Sequence, residues 1–240
     1  MPTSIPIVLA ASALLVAILA IRAHYLDARR RWQIYVFKPL ATLLILALAL
    51  LQPPAHATYQ WAIAAGLLFS TAGDVFLMLP RDRFVAGLAS FLIAHLCYAW
   101  AFGMGVPFAA TTAFWLAYFA AGGVVLALIW PGLKPALRAP VAVYVVVIAA
   151  MASLAAERWH ALGSVAALAA TVGAGLFVVS DGVLAVDRFR RPFHAARALT
   201  LATYWAAQLL IALSVGAGHP PGLLPTEGGG GGSLHSMIYK

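Results

Sequence analysis

Long apolar runs broken by short basic loops dominate the chain. The runs fall near 5–22, 37–51, 59–79, 84–103, 108–130, 139–156, 161–185 and 198–217. They are unalternating and rich in leucine and alanine, so helix is preferred over strand. A bilayer core of about 30 Å needs about 20 apolar residues per helix, and a spanning helix satisfies its own backbone polar groups. The pattern predicts an all-α polytopic membrane protein, with eight transmembrane helices forming one domain over 1–217.

Charge in the loops orients those helices. Loop one holds Arg22 and Arg29 to Arg31, loop three Arg81 and Arg83, loop five Lys134 and Arg138, and loop seven Arg188, Arg190, Arg191 and Arg197. The stretches 52–58 and 103–107 carry no formal charge, and 157–160 sets Glu157 against Arg158. Basic loops stay cytoplasmic, so the odd loops face the cytoplasm and both termini lie outside. The first run lacks a positive leading segment and reads as a membrane helix rather than a cleaved signal. The tail, 218–240, contains Pro220, Pro221, Pro225 and the run Gly228 to Gly232, and reads as a flexible linker of the kind appended to recombinant proteins.

Composition agrees. The chain has 240 residues, of which 64% are hydrophobic and 9% charged. Soluble domains carry about 25% charged residues, so no separate soluble domain fits. The net charge of +8 sits in short interhelical loops, which argues for membrane orientation and against nucleic acid as partner. The single cysteine, Cys97, lies in an apolar run and reads as a small buried side chain.

Against this background two acidic residues stand out, Asp74 and Asp181. A carboxylate at membrane depth is costly and marks a functional site or a partner. Asp74 precedes Pro80 by six residues and Asp181 precedes Asp187 by six, which places each roughly 9 Å inside its helix end. Tyr204 falls at a similar level, and His95 and Gln208 lie deeper. His95 and Tyr98 share a helix face, as do Tyr204 and Gln208. These residues predict a pocket opening toward the cytoplasmic leaflet, lined by spans two, three, four, seven and eight. Lys38 is placed to pair with a carboxylate or to contact a phosphate. Ser70 and Ser180 are expected to hydrogen-bond backbone carbonyls. Lys38-Pro39 and Arg138-Ala139-Pro140 open spans two and six, where proline suits the first turn. With Asp74 and Asp181 in spans three and seven, the halves read as two parallel pseudo-repeats of four helices. No nucleophile elbow, H-E-x-x-H, Walker loop or Cys/His cluster is present. His56, His160, His194, His219 and His235 fall in loops or tail, so no metal site and no cofactor are expected.

Several motifs then carry a resemblance. Lys38-Pro39, Gly73-Asp74-Val75-Phe76-Leu77, Phe84-x-x-Gly87 with Phe91-x-x-x-His95-x-x-Tyr98, and Ser180-Asp181 followed by Thr203-Tyr204-Trp205-x-x-Gln208 are similar to the YhhN family of lysoplasmalogenases. The resemblance covers essentially 1–217. It implies an integral-membrane hydrolase of the bacterial inner membrane that cleaves the vinyl ether of a single-chain ether phospholipid. The products implied are a fatty aldehyde and glycerophosphoethanolamine or glycerophosphocholine. Vinyl ethers hydrolyse by protonation of carbon followed by capture of water, and two carboxylates can supply both steps, much as in glycoside hydrolysis. Asp74 and Asp181 are the expected acid and base, in either order, with His95 assisting proton transfer. Lys38, Tyr98, Tyr204 and Gln208 are expected to position headgroup or water, and Arg81 and Arg190, with their loop neighbours, to hold the phosphate. The rival readings are a proton-coupled carrier of small molecules or lipids and a non-enzymatic lipid-binding protein.

Overall fold

A computed structural model describes residues 4–26, 32–80, 82–106 and 111–216. Eight helices run through the described residues: α1 (Ser4–Ala23), α2 (Trp32–Leu51), α3 (Ala57–Met78), α4 (Phe84–Gly103), α5 (Thr112–Ile129), α6 (Pro135–Leu162), α7 (Val165–Phe189) and α8 (Ala196–Leu213). All eight are long and apolar enough to cross a bilayer. Large apolar side chains such as Val8, Ile18, Trp61, Leu116 and Val165 are left on the outside, where lipid covers them. Arg29 to Arg31, Arg81, His219, His235 and the tail lie outside the described residues.

Several boundaries differ from the sequence reading. Helix α2 begins at Trp32, so Pro39 is inside it rather than in its first turn. The segment Trp32-Gln33-Ile34-Tyr35 reads as a polar interface, but aromatic and amide side chains at an interface remain helical. Helix α6 starts with Pro135 and contains Pro140 in its interior. Membrane bundles tolerate such prolines because neighbouring groups satisfy the freed backbone carbonyls. The supposed loop 157–160 is the last part of α6, so His160 is helical too. The turn instead falls at Gly163, left-handed at φ 60°, and Ser164, whose Oγ accepts the Ala167 N–H at 3.1 Å. Glu157 and Arg158 are buried in this helix and tie down its neighbours. The Glu157 carboxylate accepts the Thr111 N–H at 2.6 Å, at the start of α5. Arg158 donates to the Met104 carbonyl at 2.7 Å, at the end of α4, and lies over the Tyr59 ring.

The tightest pairings are α3 with α4 and α7 with α8. Small residues bring these helices together, since close backbone approach is what holds helices in lipid. A side chain at Gly73 would overlap the Phe91 ring, and one at Gly173 would strike the Ala207 carbonyl. The core is a layer of alanines and aromatics between the two pairs, with Phe177, Tyr98 and Trp205 fully buried. Helix α2 packs against α3 and α8, and α6 against α4 and α7, so both acidic helices are flanked on two sides.

Candidate active site

Asp74 sits in the last turns of α3 and is 1% exposed. Lys38 Nζ of α2 stands 3.0 Å from its Oδ1. Thr42, four residues on along the same face of α2, donates to Oδ2 at 2.9 Å, and Tyr204 of α8 donates to Oδ2 at 2.7 Å. Trp205 Nε1 donates in turn to Thr42 Oγ1 at 3.3 Å. The interior start of α2 explains this arrangement: Lys38 is well inside a helix and 7% exposed, so its ammonium points at the carboxylate instead of snorkelling to the interface.

Asp181 of α7 has different company. Tyr144 of α6 donates to its Oδ2, and His95 Nε2 of α4 lies 4.0 Å from the same oxygen. Among the described residues no lysine or arginine pairs with it. The two carboxylates thus have corresponding helical surroundings, α2 and α8 around Asp74 and α6 and α4 around Asp181.

Both line one cavity, with about 1780 Å³ of empty space including its mouth. It opens at the face that carries the basic odd loops. Lys38, Asp74, Asp181 and Tyr204 form its inner wall, with Phe91 between them, and His24, Asp187, Arg188 and Arg197 stand nearer the mouth. The wall includes His24, after α1, a helix the sequence reading left out. At the rim Arg188 makes two bonds to Asp82, at 2.8 and 3.0 Å, and its guanidinium stacks on Phe84 at 4.1 Å. The Phe84 N–H and the Arg188 charge hold the Asp82 carboxyl below its ordinary range. Burial pushes the His24 imidazole down, against the Ala20 carbonyl that its Nδ1 contacts at 2.9 Å.

Of the residues singled out from sequence, Lys38, Asp74, Asp181 and Tyr204 converge on the cavity, and His95 lies beside Asp181. Tyr98 and Gln208 meet each other, the tyrosine hydroxyl donating to Oε1 at 2.7 Å, but both are fully buried and neither lines the cavity. Arg190 is exposed and off the cavity wall, where Arg188 and Arg197 stand instead. Ser180 donates to the Thr200 carbonyl at 3.0 Å as expected, whereas Ser70 Oγ finds no hydrogen-bond partner among the described residues. Both ring nitrogens of His95 and Gln208 Nε2 are in the same condition. Thr42 and Tyr144 were missed. Thr42 follows the interior Pro39 by three residues and Tyr144 follows Pro140 by four, and a hydroxyl just past an interior proline in an apolar span was the available signal. No group of three metal-ligating side chains occurs among the described residues.

The chain is similar to several known proteins. A membrane protein YhhN of Escherichia coli O6:H1 is 35% identical over 187 residues, covering 77% of this chain and 88% of that protein. Lysoplasmalogenase TMEM86A of Bos taurus is 41% identical over 162 residues, 63% of this chain and 64% of its own length. Lysoplasmalogenase TMEM86B of Homo sapiens is 39% identical over 156 residues, 65% of this chain and 64% of its own length. No solved structure gives a significant match. The YhhN family profile matches residues 33–215, a stretch that holds Lys38, Thr42, Asp74, His95, Tyr144, Asp181 and Tyr204, and this chain belongs to the YhhN family.

Proposed function

We propose that this protein is a membrane hydrolase that cleaves the vinyl ether of lysoplasmalogens, releasing a fatty aldehyde and a glycerophospho-alcohol. The names of its relatives support the substrate class. The observation that carries the mechanism is that two intramembrane aspartates share one cavity wall while only one of them faces a cation.

Asp74 accepts from an ammonium and two hydroxyls, an arrangement that suits the carboxylate that takes a proton from water. Asp181 accepts one hydroxyl, and among the described residues its Oδ1 makes no hydrogen bond and no lysine or arginine pairs with it. Asp181 is therefore the acid. It gives its proton to the chain-side carbon of the double bond, and the ether oxygen takes up the positive charge as an oxocarbenium ion. Asp74 supplies negative charge and removes a proton from the water that attacks the oxygen-bearing carbon. The resulting hemiacetal collapses: its hydroxyl proton returns to Asp181, the carbon–oxygen bond to glycerol breaks, and Asp74 passes its proton to the departing oxygen. One water is consumed and both carboxyls are restored. His95 flanks the acid, its Nε2 4.0 Å from Asp181 and so beyond direct hydrogen-bond reach. Arg197, Arg188 and His24 at the mouth suit the headgroup phosphate, a point charge near the leaflet surface. The same reading puts the protein in the bacterial inner membrane, with the basic loops and the cavity mouth toward the cytoplasm and both termini outside.

Purified protein in detergent, where no gradient exists, should release aldehyde from a lysoplasmalogen. A pure carrier or lipid-binding protein gives none. General acid–base groups contribute about 10²–10⁴-fold each, so Asp74→Asn and Asp181→Asn should each lose at least about 100-fold in a folded protein. Near-normal turnover in either variant refutes the assignment.

A further inference from the structure

Asp181 also faces a second cavity that adjoins the first. The two share Leu77, Phe84, Phe91, Asp181 and Leu184. The second is a groove bounded by α3 to α7, with about 740 Å³ of empty space including its open side. Among the described residues its only polar side chains are Asp181 and the Tyr144 bonded to it. Its wall on α7 runs from Val178 to Phe189, roughly 16 Å of helix. Helix α5 covers it loosely: only Gly122 and Ile129 of that helix are buried, and α4 and α5 barely touch. The groove therefore opens sideways to lipid between α4 and α5.

Resting on the activity proposed above, we infer that this groove binds the hydrocarbon chain of the substrate, that the chain enters through the α4–α5 gap, and that Gly182 and Gly122 set how much chain it accepts. A vinyl ether is the seam between a hydrocarbon chain and a phosphorylated glycerol. Asp181 is the carboxylate at the seam between an apolar groove and a polar cavity. The glycines shape the groove beside it. A Cβ on Gly182 would have Val125 Cγ2 as its nearest neighbour, at 3.6 Å, so one methyl fits and a longer side chain fills the space. A Cβ on Gly122 would press on Val145 Cγ1 at 2.8 Å, so this glycine lets α5 lie close against α6 at the groove wall.

The experiment compares wild type, Gly182→Ala and Gly182→Leu on two lysoplasmalogens that share a headgroup and differ in chain length. Loss of one methylene's worth of pocket is worth roughly 10–200-fold in discrimination. Gly182→Leu should lower kcat/KM for the long chain by that range while the short chain loses far less, with Gly182→Ala between them. Equal losses on both chains overturn the inference. A second measurement uses wild-type protein alone, so it does not depend on how the variants fold. A long-chain 1-O-alkyl lysophospholipid with a mid-chain diazirine, which has no vinyl ether to cleave, should photolabel Val125 or Val145. Labelling confined to Val124 and Leu128, which face outward at 60% and 50% exposure, overturns it. If wild type releases no aldehyde yet Val125 is labelled, the proposed activity fails and the chain site stands.

Discussion

Replacing Lys38 with methionine tests the electrostatics of the buried centre. Nζ stands 3.0 Å from Asp74 Oδ1, with the two side chains 9% and 2% exposed. At an effective dielectric of about 20, unit charges at that distance attract by about 5–6 kcal/mol. Desolvation of both ions offsets much of this, but removal of one ion strands the other, at a cost of about 3–5 kcal/mol. Lys38→Met should lower the unfolding free energy by that amount. The bonds from Thr42 and Tyr204 keep the loss toward the lower end. Adding Asp74→Asn removes the stranded charge, and the double variant should recover most of the stability, since a neutral pair of similar volume often matches a buried ion pair. Activity should not recover with it, because the carboxylate that guides water is gone. Tryptophan fluorescence during SDS titration from mixed micelles reads the stability, and aldehyde release reads the rate. If Lys38→Met unfolds within about 1 kcal/mol of wild type, or if the double variant is no more stable than the single, Lys38 does not compensate Asp74 and the reasoning fails.

Two further outcomes are expected. Arg197→Glu should raise KM several-fold with kcat nearly unchanged, the signature of lost uniform binding, while Arg190→Glu should leave both alone because Arg190 is off the cavity wall; steady-state kinetics that rank the two the other way refute the headgroup assignment. The His24 imidazole titrates below its ordinary value of 6.5 in the folded protein, so folding favours its neutral form. Its contribution to stability is full above that value and is lost as pH falls through 6.5 toward the folded value, since the unfolded chain then binds the extra proton. Thermal unfolding in detergent should show this slope in wild type and a weaker one in His24→Gln, and identical slopes would sink the reading.

Much of the fold was legible because the bilayer is a severe solvent. Each long apolar run must be a helix there, and eight runs became eight helices. The ends were less legible. Hydropathy loses Trp32 to Val36 and Glu157 to His160, where polar side chains ride on helical backbone. The Gly163-Ser164 pair, a left-handed C-terminal residue followed by an N-cap, was the better mark of the α6–α7 turn. Helix-end depth brought Asp74, Asp181 and Tyr204 to one level, and one cavity contains all three. It did not exclude Tyr98 and Gln208, because sharing a face says nothing about what that face meets. Arg190 and Arg197 are alike in sequence, and only the position of the α7 end relative to α8 separates them.

The sequence by itself determined the membrane class, the helix count and the two acidic positions, since each follows from the local cost of placing a residue in hydrocarbon. Only the tertiary structure decided that Lys38, Thr42 and Tyr204 surround Asp74 while Tyr144 and His95 attend Asp181. Those partners come from helices distant along the chain, and the energy that pairs them depends on separation in space, which spacing along one helix does not encode. The difference between the two carboxylates, and so the division of labour proposed for them, rests on that packing.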